Sequence, residues 1–113
     1  MENKTYQLRQ TLKELLINLC SRIDDIVELY SSGENNKANE RMVFFTEDVT
    51  ALSEGVEILK EKGLDVNLEE LNLKLKGVLE QYENKDFLFV SDLLKYELKP
   101  LFEYWQMEIS YEQ

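Results

Sequence analysis

Apolar residues recur at steps of three and four along nearly the whole chain. Leu8, Leu12, Leu15, Leu19, Ile23, Ile26 and Tyr30 form one such series, and Leu16 and Val27 widen it. This is the period of a helix face, without the alternation of a strand, and it predicts a helix over 5–31. Ser31-Ser32-Gly33 ends the series, with Gly33 suited to a C-terminal cap. Ala38, Met42, Phe45, Val49, Leu52, Val56 and Leu59 then make an unbroken heptad seam, which predicts a second helix over 37–62. Ala51 and Gly55 lie beside that seam. A glycine inside a helix costs about 1 kcal/mol relative to alanine, so close approach of a neighbouring helix is expected at Gly55.

Gly63 and a short link follow. Asn67 and Glu70 have the spacing of a capping box, and Val66 and Leu71 that of its hydrophobic staple. The third helix is predicted from there to Tyr82, with Leu68, Leu71, Leu75, Val78 and Tyr82 as its seam and Gly77 inside it. Glu83-Asn84-Lys85 reads as a turn, and Asp86 as the N-cap of the last helix, 86–111. Short links between long helices favour antiparallel neighbours. The expected fold is all-α: an antiparallel up-and-down four-helix bundle forming a single domain over 1–113.

At 100° per residue the last helix has three stripes. Phe87, Val90, Leu94, Leu98, Leu101, Phe102, Trp105 and Ile109 share an apolar face. Asp92, Lys95, Lys99, Glu103, Gln106 and Ser110 share a polar one, in phase on both sides of Pro100. That common phase predicts one helix kinked at Pro100, the alternative being a break at Lys99. An interior proline loses a hydrogen bond and crowds the preceding turn, at a cost of about 3 kcal/mol. The third stripe, Phe89, Leu93, Tyr96, Pro100, Tyr104, Met107 and Tyr111, is again apolar. Either it packs against a second neighbour or it is exposed and binds a partner. Aromatic and Met side chains are enriched in interface cores, so Phe89, Leu93, Tyr96, Tyr104, Met107 and Tyr111 are the candidate partner-binding residues. Asp86, Glu97, Pro100 and Trp105 are assigned structural roles. Glu97 and Glu108 sit in the apolar arc and must reach water or a cation, with Arg9, Arg22 and Arg41 as candidate partners.

The charge balance narrows the partners. Thirteen basic against 23 acidic residues give a formal net charge of −10. Residues 86–113 hold six acidic residues and two lysines, the largest acidic excess of any segment. No basic cluster exists to bind phosphates, so neither nucleic acid nor an anionic membrane surface is an expected partner. No small-molecule substrate or cofactor is inferred. The N-terminal stretch lacks the apolar core of a signal peptide, and no run is long enough to span a membrane; the expected location is cytoplasmic.

Candidate chemistry is sparse. With no histidine, Ser-His-Asp and Cys-His arrangements are excluded, as are the Glu-x-x-His pairs of di-metal bundles. Cys20, the single cysteine, lies at the edge of an apolar stripe and reads as a buried hydrophobe. No phosphate-binding glycine motif occurs. Glu54 and Glu57 have the spacing of a carboxylate metal site, but their seam neighbours turn them outward. A Mg-dependent hydrolase is therefore a remote alternative. No catalytic, cofactor-binding or metal-ligating residue is assigned, and the chain is not expected to be an enzyme.

The pattern D-F-x4-D-L-L-x-Y-E-L-x-P-L-x3-W, from Asp86 to Trp105, resembles the tail of small helical proteins of unassigned function from Gram-positive bacteria. The resemblance implies a small all-helical domain and supplies no catalytic residues. Size, acidity and helical content are also similar to those of flagellar and type III export chaperones, which hold an amphipathic client segment in a groove. The expected function is a protein-interaction module that binds a partner, or a second copy as a homodimer, through the Phe89–Met107 strip.

Overall fold

Helical periodicity this regular leaves little chain for anything else. In the computed structural model, which describes the backbone of residues 2–111 and the side chains of 4–110, only short connections are non-helical. Helix α1 spans Glu2–Ser31, α2 Asn35–Glu61 and α3 Leu68–Glu83. The C-terminal helical run follows as α4 (Phe87–Leu93), a π-helical segment (Leu94–Leu98) and α5 (Lys99–Tyr111), with no break between them. Among the described residues there is no strand. The molecule measures 47 × 21 × 19 Å. Its long axis matches the roughly 45 Å expected of a helix as long as α1.

The ends of the helices follow local chemistry. Gly33 and Gly63 take φ of 80° and 108°, a left-handed conformation that glycine adopts without strain. The Gly33 and Glu34 N–H groups donate back to the Tyr30 and Leu29 carbonyls, which closes α1. Asn67 accepts a 3.1 Å bond from the Glu70 N–H, and Asp86 a 3.2 Å bond from the Phe89 N–H, as their N-cap positions require. Val66 and Leu71 are both buried, consistent with the staple.

All seven residues of the α2 seam are buried, with Gly55 beside them; Ala51 is exposed. A Cβ built on Gly55 would lie 2.7 Å from Leu12 Cδ2, so α1 and α2 approach closely there. On α1 Leu16 and Cys20 are buried beside the main series, as expected, whereas Leu8, Leu15 and Val27 of the expected stripe are only half-buried. α1 packs against two neighbours, α2 and the C-terminal run. On that run Val90, Leu94, Leu98, Leu101, Phe102, Trp105 and Ile109 are buried and Phe87 half-buried, as their shared face predicts. α3 packs mainly on α4 and the π-helical segment and only lightly on α2. Its own burial is slight, with Leu71 and Val78 inside and Leu73 exposed.

Polar contacts tie the helices pairwise. Arg22 pairs with Asp48 between α1 and α2, and Lys99 with Asp24 at 2.8 Å between α5 and α1. The Tyr30 hydroxyl donates to Asn39 Oδ1 at 2.6 Å, and its ring stacks on Phe87 with centroids 5.2 Å apart. Tyr82 meets the edge of the same Phe87 ring, so one end of the molecule is closed by three aromatic rings from three helices. Near the other end the buried Arg9 guanidinium donates to the Ile109 carbonyl at 3.4 Å.

The segment around Pro100 shows how the proline is accommodated. Pro100 has no N–H, and its ring crowds the preceding turn. The Lys99 N–H donates to the Leu94 carbonyl five residues back instead of four, which widens that turn. The helix thus continues through the proline, and the alternative of a break at Lys99 is not what forms.

Candidate functional site

The C-terminal run has one face fixed by the core, so its other residues fall where the helix period puts them. Trp105, the largest buried side chain, is 1% exposed and lies against Phe102. With Trp105 and Ile109 inward, Tyr104 and Met107 turn outward. They are 52% and 55% exposed, one helical turn apart. Phe89 and Tyr96 are also exposed, at 45% and 62%. Leu93 is half-buried and packs against the core, so it anchors the strip more than it presents it. The Tyr111 side chain lies outside the described residues.

The π-helical turn lies within this strip, with Phe89 before it, Tyr96 inside it, and Tyr104 and Met107 beyond it. The Lys95 ammonium lies 5.2 Å from the Tyr96 ring centre and covers part of it.

The four residues assigned structural roles have defined environments. Asp86 caps α4, Trp105 fills the core, and Pro100 is exposed at the start of α5 beside the widened turn. Glu97 reaches Lys74 of α3 at 2.5 Å, and Lys74 also lies 3.8 Å from Glu70. The partner of Glu97 is thus a lysine of α3 and none of the arginines. The reason is position: Arg22 is held by Asp48, Arg9 by the Ile109 carbonyl, and Arg41 is on the exposed side of α2. Glu108 is half-buried beside Tyr104.

The nucleophile and carboxylate candidates are placed as follows. Cys20 is buried between α1 and α5 and accepts from the Gln106 amide at 3.5 Å. Burial, reinforced by Glu103, pushes its thiol up from 9.0 to about 11, which keeps it protonated and unreactive at neutral pH. Lys99 is held above its ordinary value by its hydrogen bond to Asp24. Glu54 and Glu57 are both exposed, and among the described residues no three Cys, Asp or Glu side chains converge as metal ligands would. No helix among the described residues is long and apolar enough to cross a membrane.

Sequence reasoning also passed over a second exposed apolar set. Val43, Phe44 and Ile58 on α2 are 52%, 61% and 50% exposed, and Ile17 of α1 and Leu88 of α4 are exposed as well. A signal was present: Phe44, Ala51 and Ile58 stand seven residues apart, a second heptad row beside the α2 seam.

A family model for a domain of unknown function, DUF8042, matches residues 7–108, and that range takes in the greater part of every helix. The chain belongs to the DUF8042 family. The matched range includes Tyr96, Tyr104, Met107 and the buried Trp105, so the strip lies inside the DUF8042 unit. No curated protein and no solved structure matches the chain.

Proposed function

We propose that this DUF8042 chain is a non-enzymatic protein-interaction module of the cytoplasm of Gram-positive bacteria. Its binding surface is the aromatic and Met strip of the C-terminal helix. The observation that carries this reading is exposure: Phe89, Tyr96, Tyr104 and Met107 face solvent on a helix whose opposite face is fully used by the core. A large side chain left in water contributes nothing to folding, and burying one is worth roughly 1.5–3 kcal/mol. A protein partner supplies that burial. Gram-positive origin rests on the Asp86–Trp105 pattern alone, and a cytoplasmic location is consistent with no helix among the described residues being long and apolar enough to cross a membrane.

The scaffold in this proposal is one domain, an antiparallel up-and-down four-helix bundle whose last helix bends at Pro100. The cross-helix contacts support that direction of packing. Tyr30 meets Asn39, Arg22 meets Asp48 and Leu12 meets Gly55, so the residue number falls along α1 as it rises along α2. Arg9–Ile109 and Asp24–Lys99 run the same way between α1 and α5, as do Tyr82–Phe87 and Lys74–Glu97 between α3 and the last helix. The bend is supported by the widened turn that ends at Lys99.

The test is affinity capture from the native cell with the wild-type chain and with Tyr96→Ala/Met107→Ala. Both residues are exposed, so the variant keeps its fold. The reading expects a defined protein to be retained by the wild type and lost from the variant. Recovery of the same proteins by both would place binding elsewhere. Sedimentation of the two chains at micromolar concentration reads whether the partner is a second copy.

A further inference from the structure

The geometry points to a particular occupant: we infer that the Tyr104–Met107 face of α5 takes a cationic amphipathic helix from another protein. This rests on the reading of the strip as an interaction surface and goes on to name what binds there. Three observations select the occupant.

The first is space along the helix. α3 packs on α4 and the π-helical segment, whereas the substantial interhelical packing of α5 is with α1 alone. α3 has 16 residues, about 24 Å of helix, against about 37 Å for the run 87–111. A segment laid along α5 therefore meets a helix flank with no helix of this chain already on it. Apolar side chains one turn apart, Tyr104 and Met107, are the anchor spacing that a helical partner matches with residues at i, i+3, i+4 and i+7.

The second is charge. Around the circumference of α5 the order is Glu103, Met107, Tyr104, Glu108, so a carboxylate brackets the apolar pair on either side. Glu103 is exposed, Glu108 is half-buried, and neither forms an ion pair among the described residues. Asp92 adds a further exposed carboxylate near Tyr96. The two lysines of this helix leave it acidic overall, against six carboxylates in 86–113: Lys99 is engaged chiefly by Asp24 and only secondarily by Glu103, and Lys95 lies over the Tyr96 ring. Lysines or arginines flanking the apolar stripe of the incoming helix would meet Glu103 and Glu108 directly.

The third separates this occupant from a second copy. A twofold contact places the same patch on both sides. Glu103 and Glu108 would then face their own counterparts, between two chains that each carry −10. Like charges across a contact disfavour it.

The test uses the intact chain and labelled model peptides of about 18 residues. One carries leucine at i, i+3, i+4 and i+7 with lysine elsewhere, a second has glutamate in place of lysine, and a third is the Leu/Lys composition in scrambled order. Binding is read by fluorescence anisotropy against salt, and Trp105 emission with circular dichroism checks that each variant is folded. The inference expects the Leu/Lys helix to bind and the other two to bind at least about tenfold more weakly. Tyr104→Ser/Met107→Ser lowers that affinity about tenfold or more, and Glu103→Gln/Glu108→Gln lowers it severalfold while flattening the salt dependence. If the Leu/Glu helix binds as well and both depend on Tyr104 and Met107, the partner's chemistry is wrong while the interaction face stands. If the scrambled peptide binds equally, or the Tyr104/Met107 variant binds like wild type, helix recognition at this face fails together with the reading beneath it. Self-association of the wild type that is abolished by Tyr104→Ser/Met107→Ser and displaces the peptide makes the occupant a second copy and overturns the inference.

Discussion

Two glycines inside helices give a controlled comparison. Replacing either Gly55 or Gly77 with alanine gains about 1 kcal/mol of helix propensity. At Gly77 nothing lies within 4 Å of the added methyl, so the gain is realised in full. At Gly55 the methyl would sit 2.7 Å from Leu12 Cδ2 and 3.0 Å from Cδ1. Leu12 is only 3% exposed, so it cannot swing into water and must press on the core between α1 and α2. Overpacking of this kind costs about 1–3 kcal/mol. The propensity gain is common to both substitutions and cancels in their difference. Gly77→Ala is therefore expected to be more stable than Gly55→Ala by about 1–3 kcal/mol, the cost of the contact alone. Urea unfolding followed by Trp105 emission measures both on one reporter. In a Leu12→Ala background the obstruction is gone, and Gly55→Ala should then stabilise by about 1 kcal/mol. Equal stabilisation by the two alanines in the wild-type background would refute the close approach of α1 to α2 at Gly55.

The remaining predictions concern the thiol, the caps and the core. Cys20, with its thiol near pH 11 against an ordinary 9.0, should react with a disulfide reagent at pH 8 about 100-fold more slowly in the folded chain than in urea; equal rates would contradict its burial. Because the folded value is raised, its contribution to stability is full below pH 9 and is lost as pH rises towards 11. Lys99, raised above its ordinary 10.5 by Asp24, acts in the same direction at still higher pH, so the urea midpoint should fall as pH rises from 9 to 11. Asp86→Ala removes the N-cap of α4 and should cost about 1 kcal/mol, whereas Glu97→Gln, which breaks an exposed pair with Lys74, should cost under about 1 kcal/mol by the same unfolding assay. Trp105→Ala, which empties the largest buried site, should cost about 3–5 kcal/mol by circular dichroism of thermal unfolding.

Much of the helical layout was legible in sequence because it depends on local chemistry. The heptad seam of α2 faces one neighbouring surface and is buried residue for residue. Asn67 and Asp86 cap because a short polar side chain at that position has an unpaired N–H two or three residues ahead. The extent of burial on α1 was less legible, since the width of a buried stripe depends on how many helices touch it: Leu8, Leu15 and Val27 belong to the series and are only half-buried. The turn at 94–98 was unforeseen for a related reason. Pro100 announces a disturbed backbone, but a break, a bend and a widened turn all satisfy its missing N–H. The strip shows the same limit: a wide apolar arc predicts burial or exposure equally until its neighbours are counted. Phe44 and Ile58 were overlooked because the stronger seam beside them accounted for the periodicity of α2.

The central claim, that the outer strip of the C-terminal helix is where a protein binds, is tested most directly by a photocrosslinking residue placed singly at positions 104 and 107 in the native cell. Glu28, exposed on α1, serves as the control position. The account predicts a discrete protein adduct from 104 and 107 that is absent from 28, and adducts that are equally weak and diffuse at all three positions would contradict it.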